Sequence, residues 1–230
     1  MSRLATLVLH DTRLQYRYGI YAAYAVVVAI YAGLLFSVGG RLPAWVPGFI
    51  VFSDPAALGF FFLGALMMLE RTERVRTALA TAPLSVSDYL GSKVLTLTTL
   101  AILASAVLFV AAHGEGNLLL LLGAVALTSI QYVGIGVPIA LRFKTVSGYL
   151  MGSSGFLIPV IAPSSLALLD PFPQWLAIIP SVSQLRLMLI GTGAAENAVS
   201  EVILMLVVCL AAACGGIYIA YRALQREFGR

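Results

Sequence analysis

The residues best suited to chemistry in this chain crowd into positions 70–93. Glu70, Arg71, Glu73, Arg74, Arg76, Asp88 and Lys93 fall there, with Ser85 and Ser87 between them. Glu70, Glu73, Arg74 and Arg76 stand three or four residues apart, which places them on one face of a helix. That helix is predicted to stop before Pro83. A second helix then starts with Ser85 or Ser87 as its N-cap and Asp88 in its first turn. Pro83 and Leu84 occupy the turn, the point that would project furthest. The arrangement suits docking: salt-bridging charge around a rigid turn, without a nucleophile–base pair. The bland alternative is that the charges only solvate a loop.

Catalytic and metal motifs are missing. No G-x-x-x-x-G-K-[ST], H-E-x-x-H or G-x-S-x-G occurs, and the run Gly91-Ser92-Lys93 leads into an apolar helix. His10 and His113 are expected on opposite sides of a membrane. Cys209 and Cys214 lie five apart in an apolar stretch with no His nearby, which suits neither a disulfide framework nor a metal. Metal ligands and catalytic residues are therefore expected to be none. Inside the apolar stretches the polar candidates for a path are Gln131, Ser153 and Ser154. Gln131 suits an interhelical hydrogen bond equally well. Asp54-Pro55 reads as an N-cap and first helical residue near the outer headgroups, or else as a functional acid within the membrane. The chain thus reads as a pathway without an engine. It is not expected to be an enzyme by itself, and free energy would have to come from a partner.

These residues are positioned by six apolar stretches: 19–38, 49–69, 94–112, 118–141, 149–169 and 199–221. Each is close to the ~20 residues a helix needs to cross a bilayer. Of the 230 residues, 60% are hydrophobic and 10% charged, against about 25% charged in a soluble domain. The mean hydropathy is +0.98. Threaded with a cytoplasmic N-terminus, the inner segments hold Arg3, Arg13, Arg17, Arg71, Arg74, Arg76, Lys93, Arg142, Lys144, Arg222, Arg226 and Arg230. Only Arg41 and Arg186 fall outside. That bias selects one orientation, with both termini cytoplasmic in an inner or plasma membrane. The net charge of +4 then marks an inner face anchored to anionic lipid, and nucleic acid is not expected as a partner.

The expected fold is all-α, a single transmembrane domain over 1–230. Within 1–18, Arg3, Thr6, His10, Arg13 and Arg17 form a polar stripe with Leu4, Leu7, Val8 and Leu14 away from it. This reads as an interfacial helix. Residues 170–197 are apolar but broken by Pro171, Pro173 and Pro180 into pieces too short to span. They are predicted to form an outer re-entrant hairpin, with Trp175 at the interface, Pro180 at the break and Arg186 at the polar rim. It would serve as a lid over the path or as a static plug. Gly148 and Gly152 match the small-xxx-small spacing for close helix approach. A Cys placed at Gly116 is expected to be labelled from outside.

The segment Glu70…Glu73…Arg76…Leu79…Thr81-Ala82-Pro83-Leu84-Ser85…Tyr89-Leu90…Lys93 resembles the pattern that follows the second span in ABC-2 type ATP-binding-cassette exporter permeases. Arg76 stands where a Gly is common. The run from Phe52-Ser53-Asp54-Pro55 to Leu69-Glu70-Arg71 resembles, more narrowly, permeases described as fluoroquinolone or multidrug exporters. The resemblance implies that 70–92 is a cytoplasmic coupling segment that inserts into an ATPase subunit. It implies two such ATPase copies, which carry ATP and Mg2+, and a second permease subunit, either the same chain or a sister. The cargo would be a hydrophobic or amphipathic molecule. Alternatives are the haem-export permease of cytochrome c maturation, a substrate-capture subunit and an intramembrane enzyme. The first usually has Gly-Ser-Leu-Glu where this chain has Val75-Arg76-Thr77-Ala78.

Overall fold

The computed structural model describes residues 3–72 and 85–228. It opens with a helix at Arg3–Arg17, turns through Gly19 at a φ of 69°, and enters the first long apolar helix, Ile20–Val38. Among the described residues six helices are long and apolar enough to cross a membrane: Ile20–Val38, Trp45–Glu70, Val86–Ala111, Leu118–Ala140, Val146–Leu168 and Val199–Glu227. They are called here the first to sixth spans. No strand occurs among the described residues. Helices are the solution that lets each apolar segment satisfy its own backbone polar groups where water is absent.

Local chemistry sets where the helices start. Ser85 caps the third span by accepting from the Asp88 backbone N–H at 3.1 Å, and its own hydroxyl donates to Asp88 Oδ2 at 2.7 Å. Asn117 caps the fourth span and Thr145 the fifth in the same way. The third span therefore begins eight residues ahead of the apolar run. Ser92 and Lys93 are carried inside the helix rather than left in a loop.

The fourth span is the spine of the bundle. Tyr132, Val133 and Val137 are buried along it. It crosses the sixth span where two glycines meet: a Cβ on Gly134 would lie 2.4 Å from the Gly216 carbonyl carbon. Glycine at both positions is what lets these backbones touch. Gly148 and Gly152 serve a different purpose from the one expected. A Cβ on Gly152 would meet the ring of Phe143 at 2.4 Å, so these glycines seat the loop before their own helix and not a neighbouring span. Gly116 packs against the backbone of Gly191 and Gly193, so a side chain there has no room, contrary to its use as a labelling site.

The second span is not one regular helix. Trp45–Ser53 is α-helical, Asp54–Gly59 is a π-helical insert, and Phe60–Thr72 is α-helical again. Pro55 has no N–H to give to the preceding turn, which favours such a break. Asp54 therefore does not cap the helix near its outer end: the helix starts at Trp45, and Asp54 is buried. Its Oδ2 accepts a short hydrogen bond from the Tyr24 hydroxyl of the first span. Beyond the insert, Tyr149 of the fifth span donates to the Phe60 carbonyl at 2.9 Å. Its ring fills the space above Gly64, where a Cβ would lie 1.9 Å away.

Candidate functional site

The foot of the second span and the head of the third meet the N-terminal helix in a buried ionic cluster. Lys93 Nζ lies 2.7 Å from Asp11 Oδ1 and makes a still shorter contact with Glu70 Oε1. The Tyr89 hydroxyl donates to Glu70 Oε2 at 2.7 Å, and the Ser92 hydroxyl donates to Asp11 Oδ2 at 2.7 Å. Beside them Gln15 Nε2 donates to Thr96 Oγ1 at 3.1 Å. Glu70 and Lys93 are each 1% exposed. His10 Nδ1 stands 3.8 Å from Asp11 on the open side.

Each element contributes for a local reason. Tyr89, Ser92, Lys93 and Thr96 lie three or four residues apart, so one face of the third span presents all of them. Asp11 sits between Leu7 and Leu14 on the buried face of the N-terminal helix, while Thr6, His10, Arg13 and Arg17 are exposed on the other. Two carboxylates share one ammonium, and hydroxyl donors occupy their second oxygens. A buried ion group of this kind holds only when its remaining lone pairs are met. The arrangement locks three helices that converge on either side of residues 73–84.

Of the residues expected to couple to a partner, Glu70 is buried in this cluster, paired with Lys93. Arg71 lies in the last helical turn, with its side chain outside the described residues. Glu73, Arg74, Arg76, Pro83 and Leu84 also lie outside the described residues. Asp11 was not legible as a site residue because its ammonium partner, Lys93, lies 82 residues away on another helix. The readable signal was an acid four residues after Leu7 and three before Leu14, on the apolar stripe of its helix.

The path candidates separate. Gln131 is buried and accepts from Gln184 Nε2 of helix Pro180–Thr192, so it serves as an interhelical tie. Ser153 is buried with its hydroxyl unpartnered among the described residues. Ser154 is half-buried and donates to the Leu150 carbonyl at 2.9 Å.

At the opposite end of the bundle, 170–197 forms a short 3-10 helix, Gln174–Ile178, and the helix Pro180–Thr192. Pro180 opens the second of these, and Gly193 closes it at a φ of 85°. Trp175 is 68% exposed. Every residue from Ser181 to Leu189 is buried, against the fourth span, the start of the second, the 3-10 helix Ala162–Leu168 and the sixth span. Arg186 is held below the rim at 9% exposure, not at the rim itself. Its Nε donates to Asn197 Oδ1 at 2.8 Å and its Nη1 to the Ala167 carbonyl at 3.0 Å. The guanidinium carbon lies 4.7 Å from the centre of the Phe172 ring. Burial lowers its pKa, and Asp170 and Glu201 act in the opposite direction. Among the described residues no three of His, Cys, Asp and Glu converge.

The comparisons agree with this architecture. Residues 2–228 match the model of the fluoroquinolones export permease protein family. The fluoroquinolones export permease proteins of two Mycobacterium tuberculosis strains, CDC 1551 / Oshkosh and ATCC 25618 / H37Rv, are each 27% identical over 191 residues. The match covers 79% of this chain and 76% of either relative. Six apolar helices, the polar run that begins at Glu70 and a family match over nearly the whole chain converge: the protein belongs to the fluoroquinolones export permease protein family and is a multi-pass permease of the ABC-2 exporter type.

Proposed function

We propose that this chain forms half of the translocation path of an ATP-driven exporter, for hydrophobic or amphipathic molecules that include fluoroquinolones. A separate ATPase, present in two copies and carrying ATP and Mg2+, engages residues 73–84. The other half of the path is a second permease, this chain again or a sister. Both termini and the ionic cluster face the cytoplasm, and the N-terminal helix rests at the membrane surface. The relatives' printed names support the cargo, and the positive-inside bias supports the orientation.

The observation that carries this reading is the Asp11–Glu70–Lys93 cluster. Glu70 and Lys93 sit just before and just after the segment that an ATPase would grip. Motion of that segment reaches the membrane only through the helices on either side of it. A buried cluster that ties them together makes them move as one body with the N-terminal helix, because separating the charges costs several kcal/mol. The hairpin serves as a fixed wall: residues 181–189 of the helix Pro180–Thr192 are buried, so swinging it as a lid would expose apolar surface.

Inverted vesicles holding the permease and its ATPase test the proposal by measuring ATP hydrolysis and norfloxacin accumulation together. Wild-type vesicles accumulate the drug only with ATP. Glu70→Gln keeps complex formation and hydrolysis but accumulates less drug per ATP. Charge reversal at Glu73 or Arg76 weakens ATPase binding instead. Unchanged drug per ATP in Glu70→Gln would falsify the coupling role, and ATP-independent accumulation would sink the exporter assignment.

A further inference from the structure

At the end of the bundle away from the ionic cluster, a cleft of about 550 Å³ opens between the start of the second span and the turn that follows helix Pro180–Thr192. That volume lies within the ~300–1,000 Å³ typical of small-molecule sites. Its walls mix charge and apolar surface: Arg186, Asp170 and Glu196 with Trp45, Leu168 and Leu189.

Arg186 points to what the cleft takes. The guanidinium is fixed by Asn197, the Ala167 carbonyl and the face of Phe172. Those contacts use Nε and Nη1. Among the described residues no hydrogen bond falls on Nη2, and no carboxylate lies within 4.0 Å of the group. A nearly buried guanidinium with an idle edge on a cavity is a pre-organised receptor for a carboxylate, since the side-chain entropy of binding is already spent in folding. Asp170 and Glu196 are exposed lining residues with no hydrogen bond or ion pair within 4.0 Å among the described residues; Asp170 acts on Arg186 only through its charge at longer range, as Glu201 does, and Asp170 and Glu196 leave negative charge at the mouth. Trp45 adds an aromatic wall.

We propose that this cleft is an outward-facing binding site for an aromatic zwitterion. The carboxylate of the ligand docks on Arg186, its ammonium lies between Asp170 and Glu196, and its ring system lies on Trp45. The proposal rests on the exporter reading above and places the site at the last station before release.

The chain holds two tryptophans, Trp45 and Trp175. In a Trp175→Phe background, Trp45 fluorescence therefore reports the cleft alone. Quenching is measured in nanodiscs without ATP, using three probes: norfloxacin, its methyl ester (amine only) and its N-acetyl derivative (carboxylate only). Norfloxacin binds tightest, with each single-charge probe weaker by about tenfold. In Arg186→Gln, norfloxacin falls to the level of its ester. In Asp170→Asn/Glu196→Gln, it falls to the level of the N-acetyl form. These two rim residues are exposed, so that variant folds even if Arg186→Gln does not, and it decides the case alone. Equal binding of all three probes, or an unchanged order in the rim variant, overturns the site. If vesicles show no ATP-driven export but the quenching order holds, the exporter reading fails and the site stands. Export with a flat quenching pattern removes only the site.

Discussion

Replacing Lys93 with Met removes the ammonium that, among the described residues, two buried carboxylates share. Lys93 Nζ is 2.7 Å from Asp11 Oδ1, and at an effective dielectric of ~20 that contact alone is a gross attraction of about 6 kcal/mol. Desolvation offsets most of this, so the useful figure is the cost of breaking a buried pair by deleting one partner, about 3–5 kcal/mol. At ~2–4 °C per kcal/mol for a chain of this size, the melting temperature should fall by about 6–20 °C. Neutralising one acid acts differently. Asp11→Asn leaves Glu70 and Lys93 matched one to one, and its amide oxygen still accepts from Lys93, so the loss is about 1 kcal/mol. The triple variant Asp11→Asn/Glu70→Gln/Lys93→Met carries no buried charge and should recover most of the loss despite having more substitutions. The assay is loss of monodisperse, folded protein by size exclusion after stepped heating in one detergent. A Lys93→Met protein that melts within about 2 °C of wild type, or an Asp11→Asn protein that is equally damaged, would refute the charge accounting.

Gly134→Val should push the fourth and sixth spans apart, since a Cβ there meets Gly216 backbone at 2.4 Å; folded yield should drop sharply, and normal yield would mean the crossing is looser than described. Gln184→Leu leaves the buried Gln131 oxygen without its donor and should cost about 1–3 kcal/mol, whereas adding Gln131→Leu should restore stability, as heating would reveal. Tyr24→Phe strips Asp54 of its hydroxyl partner inside the bundle and should destabilise by a similar ~1–3 kcal/mol; an unchanged melting temperature would argue that the pair is dispensable. For orientation, a membrane-impermeant maleimide should reach a Cys at the exposed Glu115 and miss one at Lys144 in intact cells, with Cys209 and Cys214 replaced by Ala; the reverse pattern would invert the topology.

Six helices were legible because a bilayer imposes one requirement on every span, and uninterrupted apolar length meets it without reference to the neighbours. Capping at Ser85 was legible for the same reason: a hydroxyl three residues before an acid satisfies local donors wherever the helix ends up. Which helices touch is a different matter. Asp54 resembled a cap because Asp-Pro is a capping pair, yet the helix already ran from Trp45, and the carboxyl found Tyr24, thirty residues earlier in the chain. Gly148 and Gly152 fitted a packing motif that Gly134 and Gly216 perform, because spacing along one helix says nothing about which backbone comes alongside. Lys93 counted as an inner-face charge from sequence alone. Only the fold reveals that Asp11 and Glu70, 82 and 23 residues away, surround it. Apolar length and local capping are properties of one segment and can be read from it. Ion clusters, close crossings and the Arg186 cleft depend on distances between segments, and those exist only once the bundle has closed.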